Sequence, residues 1–192
     1  MKRAKVGVLI SGRGSNMASL IEAARDPGCP YEVVLVLSDN PEAPGLELAR
    51  AFGVEAKAID RRLYGQNREA HERILDDALR EAEVEYVALA GYMRVLTPFL
   101  VGAWDGRMVN IHPSLLPKYP GLDTHRRAIE AGDSEAGCTV HLVTNALDDG
   151  PPLAQARVPI LPGDTAEALI ARVLEVEHRL YPQALSDLIG SK

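Results

Sequence analysis

Cysteine is almost absent: Cys29 and Cys138 are the two in 192 residues, and they form no CxxC pair. A disulfide framework is thereby excluded, and a reducing compartment fits. Net positive charge is lacking too, the formal value at pH 7 being −6. Bulk electrostatics therefore give no support to a nucleic-acid partner, although a few arginines and loop amides can still hold a small anion. Long apolar runs are also missing. The amino-terminal one, Val6–Ile10, ends in glycine-rich turn residues and is too short for a signal-peptide core, and no stretch approaches membrane-spanning length. These absences predict a cytoplasmic protein without a membrane partner. With no internal repeat, low-complexity tract or linker, one domain over residues 1–192 is the economical expectation. What is present is an ordinary globular composition, 46% hydrophobic and 25% charged, long enough to bury one full core.

Strand-like apolar runs alternate with helix-period segments. Lys5–Ile10 predicts a buried strand, followed by the turn Ser11-Gly12-Arg13-Gly14-Ser15-Asn16 and a helix to about Ala24. Further strands are expected at Tyr31–Leu37, Val54–Ile59, Tyr86–Ala90, Met108–Ile111, Thr139–Val143 and Leu153–Val158. Leu46–Phe52 reads as a short helix closed by Gly53. Asn67–Ala82 is the clearest helix, with Asn67 as its cap and a stripe of Ala70, Ile74, Leu75, Ala78, Leu79 and Ala82; His71 falls on its polar side and is expected to face solvent. Pro113, Pro117 and Pro120 impose an ordered loop that ends near Thr124, where another short helix begins. The last helix is expected to start near Asp164 as cap, with Glu167 reaching back, and to break or kink at Pro182. This alternation implies an α/β fold, a mostly parallel twisted sheet with helices on both faces. Ligands then bind beyond the carboxyl ends of strands, after Ile10, Ala90, Ile111 and Val143.

Gly12 and Gly14 let the backbone of the first loop approach an anion, while Ser15, Asn16 and the free N–H groups of a helix start supply donors. A phosphate monoester fits. A dinucleotide site wants G-x-G-x-x-G, and Met17 stands at the third glycine, where a side chain interferes with close helix–strand packing. Asp39 is placed to mimic that site's ribose-binding acid, so the loop alone leaves both readings open, as well as that of a plain structural turn.

Within Asn110-Ile111-His112-Pro113, the period-two alternation of a strand puts Asn110 and His112 on one face. An amide donor for a developing oxyanion and an imidazole to carry a proton are what acyl transfer needs. Taken singly, such a histidine is more often a hydrogen-bonded structural residue; the neighbouring Asn110 and the rigid proline loop favour catalysis. Asp148 supplies a carboxylate that would favour the imidazolium if it lay beside His112, yet an Asp in a D-D-G-P turn needs no catalytic reason.

These stretches resemble the folate-dependent formyltransferase family, and in particular its glycinamide ribonucleotide branch. The resemblance rests on Ser11–Asn16, Gly91-Tyr92-Met93-Arg94-Val95-Leu96, the run NIHPSLLPKYPG from Asn110 to Gly121, Thr124-His125, Leu147-Asp148, and Glu177-His178 with Tyr181-Pro182, in the family's order along nearly the whole chain. It implies a Rossmann-like formyltransferase fold, 10-formyltetrahydrofolate as co-substrate and phosphoribosylglycinamide as acceptor, with no metal and no nicotinamide. Gly14, Ser15 and Asn16 would hold the substrate phosphate, with Glu177 near the ribose and glycinamide end. Arg68, Met93, Arg94, Val95 and Leu96 would border the folate, largely through backbone contacts, alongside Asn110. Asn110, His112 and Asp148 would be the catalytic set, in a monomer or homodimer. Three departures stand out: Asp123 where relatives commonly carry His, Asp149-Gly150 in place of Gly-Gly with Pro152 after Pro151, and an end soon after Leu188. A non-glycine at 149 is expected to restrict the turn that shapes the folate pocket.

Four rivals are weaker. Methionyl-tRNA formyltransferase and formyltetrahydrofolate hydrolase usually carry an added domain for which this chain has no room. A nicotinamide oxidoreductase accounts for the first loop and Asp39, not for Asn110 or His112. A silent binding module has no use for the complete catalytic set. His141 is left open between a core hydrogen bond and a place near the site, and His125 between bracing the proline loop and touching substrate. Lys118 is read as an ordinary exposed lysine with an optional attraction for the folate tail or phosphate, and Trp104 and Cys138 as packing residues.

Overall fold

The computed structural model describes residues 2–191. Its strands are β1 (Ala4–Ile10), β2 (Tyr31–Ser38), β3 (Glu55–Ala58), β4 (Tyr86–Leu89), β5 (Met108–His112), β6 (Glu135–Leu142) and β7 (Pro152–Pro159). They form one sheet in the order β3-β2-β1-β4-β5-β6-β7. The first five pair in parallel, and β6 and β7 add an antiparallel edge. Helices α1 (Ser15–Ala23), α2 (Pro44–Ala51), α3 (Arg68–Glu81), α4 (Pro98–Ala103), α5 (Thr124–Glu130) and α6 (Ala166–Gly190) cover it. The expected α/β fold with a mostly parallel sheet is thus the one observed. No helix among the described residues is long and apolar enough to cross a membrane.

Strand side chains alternate between two apolar layers, as period two requires. Val6, Val8, Ile10, Val36, Val109 and Ile111 join the layer of α1, α2 and α6. Leu9, Leu35, Leu37, Val87, Leu89 and Met108 join the opposite layer, under α3 and α4. Both faces of the central strands are therefore buried, which explains their continuous Val/Leu/Ile runs. At Gly7 a Cβ would sit 2.5 Å from Leu79 Cδ2, so a larger residue would require the buried Leu79 side chain of α3 to shift. Across the other face, the hydroxyl of the buried Tyr181 of α6 lies within donating distance of the carbonyls of Leu89 (2.8 Å) and Val109 (3.2 Å), tying the helix to the carboxyl end of β4 and the start of β5.

Four local expectations change. His71 is fully buried, not solvent-facing: its Nε2 lies 2.7 Å from the Ile59 carbonyl and its ring meets Tyr64 edge-on. The inward stripe of α3 is accordingly His71, Glu72, Leu75, Asp76 and Leu79, while Ile74 is exposed. The two buried acids are tolerated because each has donors, Thr97 for Glu72 and Trp104 Nε1 (2.9 Å) for Asp76. The cap of α6 is Thr165, which accepts from the Ala168 N–H, whereas Asp164 pairs with Arg172 and accepts from the Leu161 N–H. The helix then runs unbroken through Pro182, which forgoes one backbone bond but lies among the buried Tyr181, Ala184 and Leu185. A 3-10 turn at Arg61–Tyr64 and helix α4 were not anticipated.

Candidate active site

Strand order reverses at β1, whose neighbours are β2 and β4, so the chains leaving β1 and β4 diverge and open a crevice at their carboxyl ends. The two exits are joined across it: Ser11 N–H donates to the Gly91 carbonyl (3.2 Å), and the Met93 N–H donates to Ser11 Oγ (2.9 Å).

The first loop enters α1 through Gly14 in the left-handed region (φ 74°), with no side-chain cap. Among the described residues nothing accepts from the N–H groups of Ser15, Asn16 or Met17, which leaves a helix start with free donors and a favourable dipole for an anion. Met17 is fully buried and does not push the loop away. Close approach comes instead from α2, where the Gly45 N–H donates to the Gly12 carbonyl (3.0 Å) and a Cβ on Gly45 would meet Ile10 Cδ1 at 2.5 Å. Asp39 is not available to a ribose: it is fully buried, and its carboxylate accepts from Ser11 Oγ (2.7 Å) and Arg61 (3.1 Å). From α6 the buried Glu177 accepts from Asn16 Nδ2 at 2.7 Å. Burial pushes the Glu177 carboxyl above the ordinary glutamate range, and the bond from Asn16 opposes that rise.

A second cleft, open to solvent, runs between the segment after β4 and the turn after β6. Arg94, Val95, Leu96, Asn110, His141 and Asp148 are among its walls. Of the other expected folate neighbours, Arg68 reaches the same segment by donating to the Val95 carbonyl (3.1 Å), and Met93 projects outward, 64% exposed. Gly14, Ser15, Asn16 and Glu177 are outside this cleft, and their link to it is the Ser11 bridge.

On β5, Val109 and Ile111 point into the core while Asn110 and His112 share the other face. His112 is 6% exposed; its Nε2 donates to the Tyr119 carbonyl (2.9 Å), and its Nδ1 stands 3.4 Å from Asp148 Oδ2. Both ring nitrogens face oxygen acceptors, and only the doubly protonated ring can donate to both. Asp148 is held in the left-handed region (φ 50°) and accepts from the Gly121 N–H at 2.9 Å, which ties the D-D-G turn to the proline loop. The next residue, Asp149, is exposed and is not among the left-handed positions, so the anticipated strain at 149 is absent. Gly150 is the residue that must stay bare, because a Cβ there would lie 1.7 Å from the Leu142 carbonyl oxygen.

His141 belongs to this group. Its Nδ1 donates to the Leu142 carbonyl (2.9 Å), its Nε2 receives the Asn110 Nδ2 at 3.2 Å, and Asp148 Oδ1 is 3.8 Å away. Burial pushes its pKa below the usual histidine value, with the Leu142 carbonyl and Asp148 opposing. A neutral ring with its proton on Nδ1 fixes which end of the Asn110 amide faces it. Sequence alternation along β6 placed His141 near enough to notice, without showing that it holds Asn110.

The proline loop is braced by Thr124 Oγ1 to the Pro113 carbonyl (2.7 Å), Ser114 Oγ to the Lys118 carbonyl (2.6 Å) and Thr139 Oγ1 to the Ser114 carbonyl (2.7 Å). His125 packs behind it, burial lowering its pKa, and Lys118 is paired with Asp133 at 3.0 Å. Asp123 caps α5 through its backbone alone, its exposed carboxylate pairing with Arg126 (2.8 Å). Trp104 is buried, and burial raises the Cys138 thiol to about 12, so neither departs from a packing role.

Residues 4–185 match the family model described as "Formyl transferase". The chain is 45% identical over 179 residues to phosphoribosylglycinamide formyltransferase of Escherichia coli (strain K12), covering 93% of this chain and 84% of that protein. It is 46% identical over 191 residues to the trifunctional purine biosynthetic protein adenosine-3 of Drosophila melanogaster, spanning 98% of its own length but 14% of that much longer relative. Its fold is similar to the crystal structure of phosphoribosylglycinamide formyltransferase from Brucella melitensis, with a TM-score of 0.93, 53% identity, and coverage of 98% and 96% of the two chains.

Proposed function

The chain belongs to the formyl transferase family, and from that premise we propose that it moves a formyl group from 10-formyltetrahydrofolate to the glycinamide amine of phosphoribosylglycinamide, a step of purine (IMP) biosynthesis. The observation that supports this reading is that Asn110 and Asp148 line one cleft with Arg94–Leu96, while the buried His112, outside that lining, has its Nδ1 3.4 Å from Asp148 Oδ2. In the proposed arrangement the free helix start at Gly14, Ser15 and Asn16 holds the substrate phosphate, and Glu177 stands at the ribose and glycinamide end. Arg68, Met93, Arg94, Val95, Leu96 and Asn110 border the folate.

The chemistry is direct transfer. The amine nitrogen attacks the formyl carbon, and the carbonyl π pair moves to oxygen. Asn110 Nδ2 and protonated His112 donate to the resulting oxyanion, His112 by exchanging the Tyr119 carbonyl on its Nε2 for the oxyanion while Nδ1 stays toward Asp148. The attacking nitrogen loses a proton, N10 gains one, and the N10–carbon bond breaks as the carbonyl re-forms and tetrahydrofolate departs. Asp148, 3.4 Å from the His112 Nδ1, orients the imidazole in this reading. Purified protein mixed with the two substrates should produce tetrahydrofolate and formylated ribonucleotide in equal amounts. Absence of the formylated product, or reduction of either substrate with NADH instead, would end this reading.

A further inference from the structure

The segment from Gly91 to Thr97, between β4 and α4, has no regular structure, yet three protein groups hold it. At its start, Ser11 takes the Met93 N–H on its hydroxyl and gives its own N–H to the Gly91 carbonyl. In the middle, Arg68 holds the Val95 carbonyl. At its end, Glu72 accepts the Thr97 N–H (2.8 Å) on one oxygen and the Thr97 hydroxyl on the other. Between these posts, the N–H groups of Arg94, Val95 and Leu96 have no acceptor among the described residues, and all three residues line the cleft. The segment is thus fixed at both ends and unsatisfied where it meets the cavity, the arrangement of a backbone prepared to bind a polar ring system.

Both end posts are built so that their direction is imposed. Asp39, fully buried, can only accept, so the Ser11 hydroxyl proton points to its Oδ1 (2.7 Å) and a lone pair is left for Met93. Arg61 occupies the other Asp39 oxygen and keeps that carboxylate from turning. Glu72 is 3% exposed, and both its oxygens are spent on Thr97, the residue that caps α4. We propose that Ser11 and Glu72 are positioning residues for the formyl donor: they clasp the Gly91–Thr97 segment from its two ends and hold its free amides toward the pterin part of the folate. Neither lines the cleft, so each acts through the backbone it holds. The assignment rests on the formyl-transfer reading above for the identity of the ligand.

The test is isothermal titration of the full chain with tetrahydrofolate and, separately, with phosphoribosylglycinamide, in the parent, Ser11→Ala and Glu72→Gln. Ser11→Ala removes the acceptor of the Met93 N–H, and Glu72→Gln leaves one oxygen for two Thr97 donors. Each variant is expected to weaken tetrahydrofolate binding about tenfold while ribonucleotide affinity stays within about twofold of the parent. Folate affinity within about twofold of the parent in the folded variants would overturn the proposal, and so would an equal weakening of both ligands, the mark of general loosening. Loss of the melting transition in both variants also counts against it, because those bonds would then hold the fold and not the segment. A parent protein that binds no folate would instead defeat the formyl-transfer reading itself.

Discussion

Gly150→Ala is expected to disable the site through the backbone, without touching any proposed catalytic side chain. An added Cβ would lie 1.7 Å from the Leu142 carbonyl oxygen, where real contacts begin near 3.0 Å, so the turn or the end of β6 must yield by roughly 1.3 Å. The obstacle is backbone and cannot rotate away. Asp148 lies two residues earlier, already in the left-handed region, with its Oδ2 shared between the Gly121 N–H at 2.9 Å and the His112 Nδ1 at 3.4 Å. A displacement of that size separates the carboxylate from the imidazole, and misplacement of about 1 Å at a reacting centre costs on the order of a hundredfold in rate. Overpacking of about 1–3 kcal/mol should also lower the melting temperature by roughly 2–12 °C for a chain of this length. The assay is steady-state release of tetrahydrofolate with both substrates saturating, alongside a thermal melt. Turnover within about threefold of the parent, with an unchanged melt, would refute the coupling of this turn to the reacting centre.

His112→Ala should lower turnover by about two to four orders of magnitude with modest loss of ribonucleotide binding, and near-parent turnover would remove His112 from the mechanism. Ser15→Ala should leave the fold intact yet weaken phosphoribosylglycinamide more than its dephosphorylated analogue; equal affinity of the parent for both compounds would contradict a phosphate grip at α1. For stability, burial holds His141, His125 and His178 below the ordinary histidine value of 6.5. The unfolded chain therefore takes up protons before the folded one does. Their contribution is complete above pH 6.5 and is lost as pH falls through the lowered folded values. Thermal melts from pH 7.5 down to 5 should show falling stability, with a shallower decline in His141→Gln; a parallel decline in parent and variant would deny His141 a share.

The central strands were legible because burial on both faces demands continuous apolar runs, and β1, β2 and β4 carry them. The first half of β6 was hidden because Glu135-Ala136-Gly137-Cys138 has no β-branched residue; Gly137 is there because a Cβ would strike the Ala156 carbonyl at 1.9 Å. Helix α4 escaped notice for its shortness, six residues opened by Pro98. His71 misled through its polarity, since periodicity does not reveal that the Ile59 carbonyl waits inside. Within the site, alternation along β5 sufficed to put Asn110 and His112 on one face. Proximity of Asp148 depends on pairing between β5 and β6 and on the bond from Gly121, neither visible in a linear pattern, so only family resemblance suggested it. The posts at Ser11 and Glu72 are of the same kind. Ser11 stands inside the Ser11–Asn16 motif, whereas nothing in the linear pattern marks Glu72.

The most direct test is a crystal structure of the protein with phosphoribosylglycinamide and an unreactive analogue of 10-formyltetrahydrofolate bound together. The formyl oxygen should lie about 2.7–3.1 Å from both Asn110 Nδ2 and a His112 ring nitrogen. The acceptor amine should approach the formyl carbon at about 3–3.5 Å, with the phosphate on the Gly14–Asn16 helix start. A donor bound away from the Arg94–Leu96 wall, or a formyl group beyond reach of Asn110 and His112, would contradict it.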